Sequence, residues 1–196
     1  MKRKNLILFV FFISLNICSQ TPLKSTNGLN YNEIINDFEN NIKSNIYSIN
    51  KDDILQLVKL SKKKYHILYS FATWCGPCRE YLPNLLRFIA ENDDVELYIL
   101  LIEKNNSRNL LSSKIFFDKM DSFNKPLFCI VGNKPERPKK LYFDFVKSIL
   151  PHHKEYGLSL NILMLKNGNI LYASTYNESK SEIIENLKRL TVNPKD

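Results

Sequence analysis

Residues 67–91 hold the arrangement that most narrows what this chain can fold into. An apolar run, Ile67-Leu68-Tyr69-Ser70-Phe71-Ala72, leads into Trp74-Cys75-Gly76-Pro77-Cys78. Leu82, Leu85, Leu86 and Ile89 then recur at helical spacing. A short apolar run bounded by polar residues reads as a buried strand, and the periodicity after it as a helix over Arg79–Glu91. The two cysteines therefore stand where a strand becomes a helix. At a helix start the unpaired backbone N–H groups and the dipole favour an anion, which at Cys75 is a thiolate. Cys78 lies one turn on, near enough to close a ring. Pro77 suits a first helical turn, where its missing N–H costs little. Pro83 predicts a kink further along.

Two blander readings compete. A zinc site needs more ligands, and Cys129, His152 and His153 stand in no second metal-type spacing. A structural bridge needs neither the preceding Trp nor the Gly-Pro spacer. The residues favour a redox-active dithiol with Cys75 as nucleophile and Cys78 as resolving thiol. No metal or cofactor is expected.

The rest of the chain supplies a frame for that junction. Tyr31, Ile34, Ile35, Phe38 and Ile42 are spaced as an amphipathic helix. Asn50 caps a second helix with Asp53 three residues on, and Ile54, Leu57, Val58 and Ser61 share one face. Val95–Ile102 and Pro126–Val131 read as strands, 107–124 and Leu141–Leu150 as helices, and Gly132–Pro138 as a loop. Leu160–Leu165 and Asn169–Ser174 bracket Lys166-Asn167-Gly168, a hairpin signal. Ser179-Lys180-Ser181-Glu182 is a capping box that opens a last helix with Ile183, Ile184, Leu187 and Leu190 on its apolar side. This order favours a mixed sheet covered on both faces.

Phe71-Ala72-Thr73-Trp74-Cys75-Gly76-Pro77-Cys78-Arg79 resembles the active-site segment of thioredoxins. Its continuation to Leu85, with Arg79 after the second Cys and Pro83 four further on, resembles the TlpA/ResA-type envelope thiol-disulfide oxidoreductases. Tyr156-Gly157-Leu158 and the strand-turn-strand around Gly168 resemble that family's C-terminal half. The resemblance spans roughly residues 50–190. It implies an α/β thioredoxin fold: a central mixed β-sheet flanked by helices on both faces, here with an N-terminal helical extension. It also implies exchange with protein disulfides, with Trp74, Gly76 and Pro77 supporting the sulfurs and a membrane partner as reductant. The spacer matches that of reducing thioredoxins; a disulfide-forming oxidase or isomerase, and a non-catalytic binding module, are the alternatives.

Two positions depart from the family. The buried Asp that aids proton transfer at the second Cys corresponds to Tyr69, which leaves Glu80 as the candidate for that task. The cis-proline that faces the dithiol corresponds to Leu160, so a trans or rearranged loop is expected there.

The N-terminus points to export. A basic start (Lys2, Arg3, Lys4) precedes an apolar stretch from Leu6 to Ile13, too short for a membrane-spanning helix and suited to a secretory signal. The expected organisation is a signal over 1–19, a linker and helix over 20–49 and a thioredoxin-like domain over 50–196. The mature chain would then work in the periplasm or cell envelope without a transmembrane helix. Leu15-Asn16-Ile17-Cys18 loosely matches a lipoprotein cleavage motif, which makes Cys18 a candidate lipid anchor; the bulky Ile17 favours a Cys18 lost with the leader. The net charge of +8 includes those three leader charges and is otherwise spread along the chain. The only tight run, Lys62-Lys63-Lys64, ends a helix, so nucleic-acid binding is not expected. Cys129 reads as a small buried hydrophobe, and His152-His153 as solvated histidines near a helix end. Phe116, Phe117, Phe123, Tyr142, Phe143 and Phe145 suit a core or a substrate groove alike.

Overall fold

The computed structural model describes residues 30–42, 45–104, 107–130 and 137–192. Six strands form one sheet in the order β1-β4-β3-β2-β5-β6. They are β1 Ile46–Ile49, β2 Tyr65–Phe71, β3 Val95–Leu101, β4 Leu127–Ile130, β5 Asn161–Leu165 and β6 Ile170–Ala173. The first four run parallel, whereas β5 and β6 are antiparallel to their neighbours. The helices are α1 Tyr31–Glu39, α2 Lys51–Leu60, α3 Gly76–Ala90, α4 Arg108–Asp118, α5 Pro138–Ile149 and α6 Lys180–Val192. α3 packs with α6, and α2 packs with α1 and α5. β2 and β3 are buried along their whole length, as parallel strands covered on both faces must be.

Local chemistry explains most boundaries. Asn50 Oδ1 accepts the Asp52 and Asp53 N–H groups at 2.8 and 3.1 Å, while Asp53 Oδ2 accepts the Asn50 N–H at 2.8 Å, so the capping box at α2 is complete. Ile54, Leu57, Val58 and Ser61 are all buried, as their shared face requires. At α6 the Ser179 N–H donates to Glu182, and the Glu182 N–H to Ser179 Oγ. Gly168 takes a φ of +85° in the β5–β6 turn, a conformation that a Cβ disfavours. α3 runs from Gly76 to Ala90 with Pro83 inside it.

One strand falls where a linker and helix are expected. β1 lies within the 20–49 segment, and its residues pair in parallel with Leu127–Ile130. Four residues without alternation carry no strand signal of their own; their burial comes from a partner some eighty residues away. The segment 1–19 read as a leader, with Cys18, and most of the 132–138 loop lie outside the described residues.

Opposite ends of the sheet differ in character. The segments leading into β2 and β3, with α1 and Lys125, line a groove of charged groups that answer one another. Lys125 donates to the Phe38 carbonyl at 2.6 Å and lies 3.7 Å from Glu96, and Lys62 pairs with Glu39 at 2.9 Å. At the other end, where β2 gives way to α3, sit the two cysteines.

Candidate active site

Cys75 caps α3 itself. Its sulfur accepts the Cys78 N–H at 3.3 Å, in place of the Ser, Thr or Asp oxygen usual at a helix start. The helix therefore begins at Gly76, three residues before the apolar periodicity suggests, because the cap and Pro77 extend it backwards. Cys75 and Cys78 are joined in a disulfide with Cα atoms 5.3 Å apart. Cys75 is 7% exposed and Cys78 is fully buried, so an approaching disulfide meets Cys75 first. Trp74 is 43% exposed beside them, with the Lys139 Nζ 5.4 Å from its ring.

The surroundings of the two sulfurs differ in sign. A donor N–H faces Cys75, whereas the Leu158 carbonyl lies 3.6 Å from Cys78 Sγ. When the bond is reduced, a donor favours a thiolate at Cys75 and an acceptor favours a thiol at Cys78. A cleft of about 490 Å³ opens next to the pair, lined mainly by apolar atoms of Trp74, Pro77, Tyr81, Leu158, Tyr176 and Ile183.

Tyr69, which the resemblance sets at the position of a buried acid, lies behind the cysteines. It is fully buried, and its hydroxyl donates to the Cys78 carbonyl at 2.8 Å. Burial pushes its pKa upward, so the group stays neutral. Glu80, the candidate for proton transfer, lies at the surface. Its side chain is 68% exposed and pairs with Lys180 of α6, and that partner holds its carboxyl below the usual range. Glu80 lies on the outer face of α3, two residues past the buried Cys78, so it ties α3 to α6 rather than reaching the sulfurs.

At Leu160, the slot of the family's cis-proline in the resemblance, the backbone is trans: no cis peptide bond occurs among the described residues. Leu160 is buried, and the cleft is lined instead by Gly157, Leu158 and Ser159. Gly76 and Pro77 form the first turn of α3 and, with Trp74, the rim of that cleft.

Sequence reasoning missed Glu103, just beyond β3. It is 3% exposed, and burial pushes its carboxyl upward. Hydrogen bonds from Trp74, Ser113 and Asn109 oppose that rise. An isolated Glu after an apolar run signals none of this. Cys129 is buried in β4, and its thiol is pushed up to about 12, which leaves it unreactive at neutral pH. His152 is exposed as expected, but His153 is half-buried, stacked on Tyr156 with Nε2 3.1 Å from the Ser174 carbonyl. Phe117, Phe123, Tyr142 and Phe145 are core, while Phe143 is 40% exposed. Among the described residues no three His, Cys, Asp or Glu side chains gather into a metal-holding group.

A dithiol at a helix start, on a parallel strand–helix unit closed by an antiparallel hairpin and a helix, decides the architecture. The fold is thioredoxin-like. Among solved structures, the chain is similar to StoA from Bacillus subtilis at 18% identity, over 65% of this chain and 85% of that one, with a TM-score of 0.43. It is similar to a thiol:disulfide interchange protein from Bacteroides sp. at 17% identity, over 71% and 78%, with a TM-score of 0.47. For a thioredoxin-like protein from Porphyromonas gingivalis the values are 21%, 69% and 81%, and 0.48. No family model and no curated protein matches the sequence.

Proposed function

We propose that this chain is an exported thiol-disulfide oxidoreductase of the bacterial cell envelope that reduces disulfides in protein substrates. The observation that carries the reading is the unequal setting of the two sulfurs at the start of α3: a donor N–H on Cys75 and an acceptor carbonyl on Cys78.

In the reduced protein the Cys75 thiolate attacks one sulfur of a substrate disulfide. That S–S bond breaks, a mixed disulfide forms at Cys75, and one substrate thiolate leaves. Cys78 then gives up its proton to the departing thiolate or to water and attacks Cys75 Sγ. The second substrate thiol is released and the Cys75–Cys78 disulfide closes, two electrons having passed to the substrate. The next cycle needs an external dithiol donor, which we assign to a membrane-bound partner. Trp74, Pro77 and the apolar cleft exclude water from one side of the exchange, and the exposed edge of Cys75 admits the substrate. We assign no proton transfer to Glu80, whose surface ion pair keeps it away from this path.

The reading of residues 1–19 as a leader supports export, and Cys18 is either a lipid anchor or lost with the leader. Among the described residues no helix is long and apolar enough to cross a membrane. The Gly-Pro spacer supports the reducing direction. The reduction potential of the pair tests it: a value near about −270 mV is expected, and one near about −120 mV would assign the protein to disulfide formation instead.

A further inference from the structure

We propose that Asn161 of β5 and Tyr81 of α3 form an internal water site behind the dithiol, and that water held there takes the proton of Cys78 as the mixed disulfide resolves. The second half rests on the exchange reading above; both residues act through the water and are positioning residues.

Asn161 stands opposite Tyr69 in the β2–β5 register, and directly opposed residues of antiparallel strands share a face. Its side chain therefore enters the layer between the sheet and α3, where the rings of Tyr69 and Tyr81 lie 5.5 Å apart. Tyr81 stands three residues past Cys78, on the same buried face of α3. It also lines the cleft beside Cys75.

Polar groups in this layer divide in two. The Tyr69 hydroxyl is engaged, donating to the Cys78 carbonyl at 2.8 Å and lying 3.0 Å from Ser159 Oγ. The backbone of Asn161 is engaged as well. Its N–H donates to Ser174 Oγ and its carbonyl accepts the Ser174 N–H, both at 2.9 Å. The Asn161 side chain is not. It is fully buried, and neither Oδ1 nor Nδ2 has a hydrogen-bond partner among the described residues; the buried Tyr81 hydroxyl has none either. An unpaired amide or phenol in an apolar interior is costly, and buried polar groups are nearly always satisfied. An acceptor, an amide donor and a hydroxyl are the kind and number of partners that an internal water takes.

The titratable groups that face this layer are Tyr69 from β2, Tyr81 from α3, and Tyr172 and Glu178 from the β6 side. Burial pushes the three phenols upward, so they stay neutral. Glu178 is occupied by Tyr172, Asn186 and the Thr175 N–H. A neutral water is then the group left to receive the Cys78 proton and pass it to the cleft. The Cys78 thiolate attacks Cys75 Sγ, the bond from Cys75 to the substrate sulfur breaks, and the substrate thiolate leaves with the electron pair and takes up a proton in the cleft.

Asn161→Leu keeps the shape and removes the amide; Tyr81→Phe removes only a hydroxyl. In the full chain, magnetisation transfer by NMR from long-lived water to the Asn161 side-chain amide protons should be seen, and its absence overturns the site. A dry site also predicts that Asn161→Leu raises the denaturant midpoint, whereas a hydrated one predicts a fall. In single turnovers on a polypeptide disulfide, each variant should slow resolution of the mixed disulfide about tenfold, the loss of roughly one buried hydrogen bond, and leave its formation within about twofold. The double variant should be no slower than the single ones, because both remove the same water. Additive slowing, equal slowing of both steps, or none would overturn the proton role. If wild type is no better than Cys75→Ser, the exchange reading itself falls, while the water contact and the midpoint still decide the site.

Discussion

The two ends of the sheet solve the burial of polar groups in opposite ways. Where β2 and β3 begin, charges are kept and answered: Glu96 is buried with Lys125 beside it, and Lys62 pairs with Glu39. Where β2 ends, neutral hydroxyls lie behind the sulfurs, Glu80 has turned outward to Lys180, and the buried carboxylate of this end, Glu103, is held by hydrogen bonds from Trp74, Ser113 and Asn109. A charge near a thiol shifts its pKa, while a hydroxyl fixes geometry with less effect on ionisation. The first end is built to hold the fold together. The second leaves the difference between Cys75 and Cys78 to an N–H and a carbonyl.

That contrast is broken or sharpened by four variants. The largest effect belongs to Cys78→Ser, which should abolish turnover yet still accumulate mixed disulfides at Cys75, seen by gel shift under non-reducing conditions. His66→Leu comes next. His66 is fully buried and its pKa is lowered from 6.5 to about 4, chiefly by desolvation. Its folded pKa lies below the unfolded one, so its stabilising contribution is complete above pH 6.5 and is lost as pH falls towards 4. The wild type should lose about 3 kcal/mol over that window through this group, and His66→Leu should not. Denaturant titrations at several pH values give the difference. Lys125→Met strands the buried Glu96 carboxylate and should cost about 2 kcal/mol at neutral pH without changing exchange rates. The smallest change is expected of Glu80→Gln, which should leave the rate of disulfide reduction and its pH profile unaltered. A shifted profile would return Glu80 to the proton path.

What could be read in advance follows from how local each signal is. The α2 and α6 caps, the turn at Gly168 and the strand–dithiol–helix junction are written in residues a few positions apart, and each forms as its chemistry requires. β1 escapes because four residues become a strand only by pairing with β4. Ser70 is visible as a polar residue within an apolar run, but its partners stand about ninety residues away. The place of Tyr69 is legible by comparison with a family motif; its bond to Ser159 is not. The Glu80–Lys180 pair is hidden for the same reason, since its two residues stand a hundred positions apart.

Reduction of a polypeptide disulfide by wild type and by Cys75→Ser tests the central claim most directly. The account predicts stoichiometric reduction by the reduced wild type and none above background by the variant. Equal rates for the two proteins would contradict it and leave the Cys75–Cys78 pair as a structural bridge.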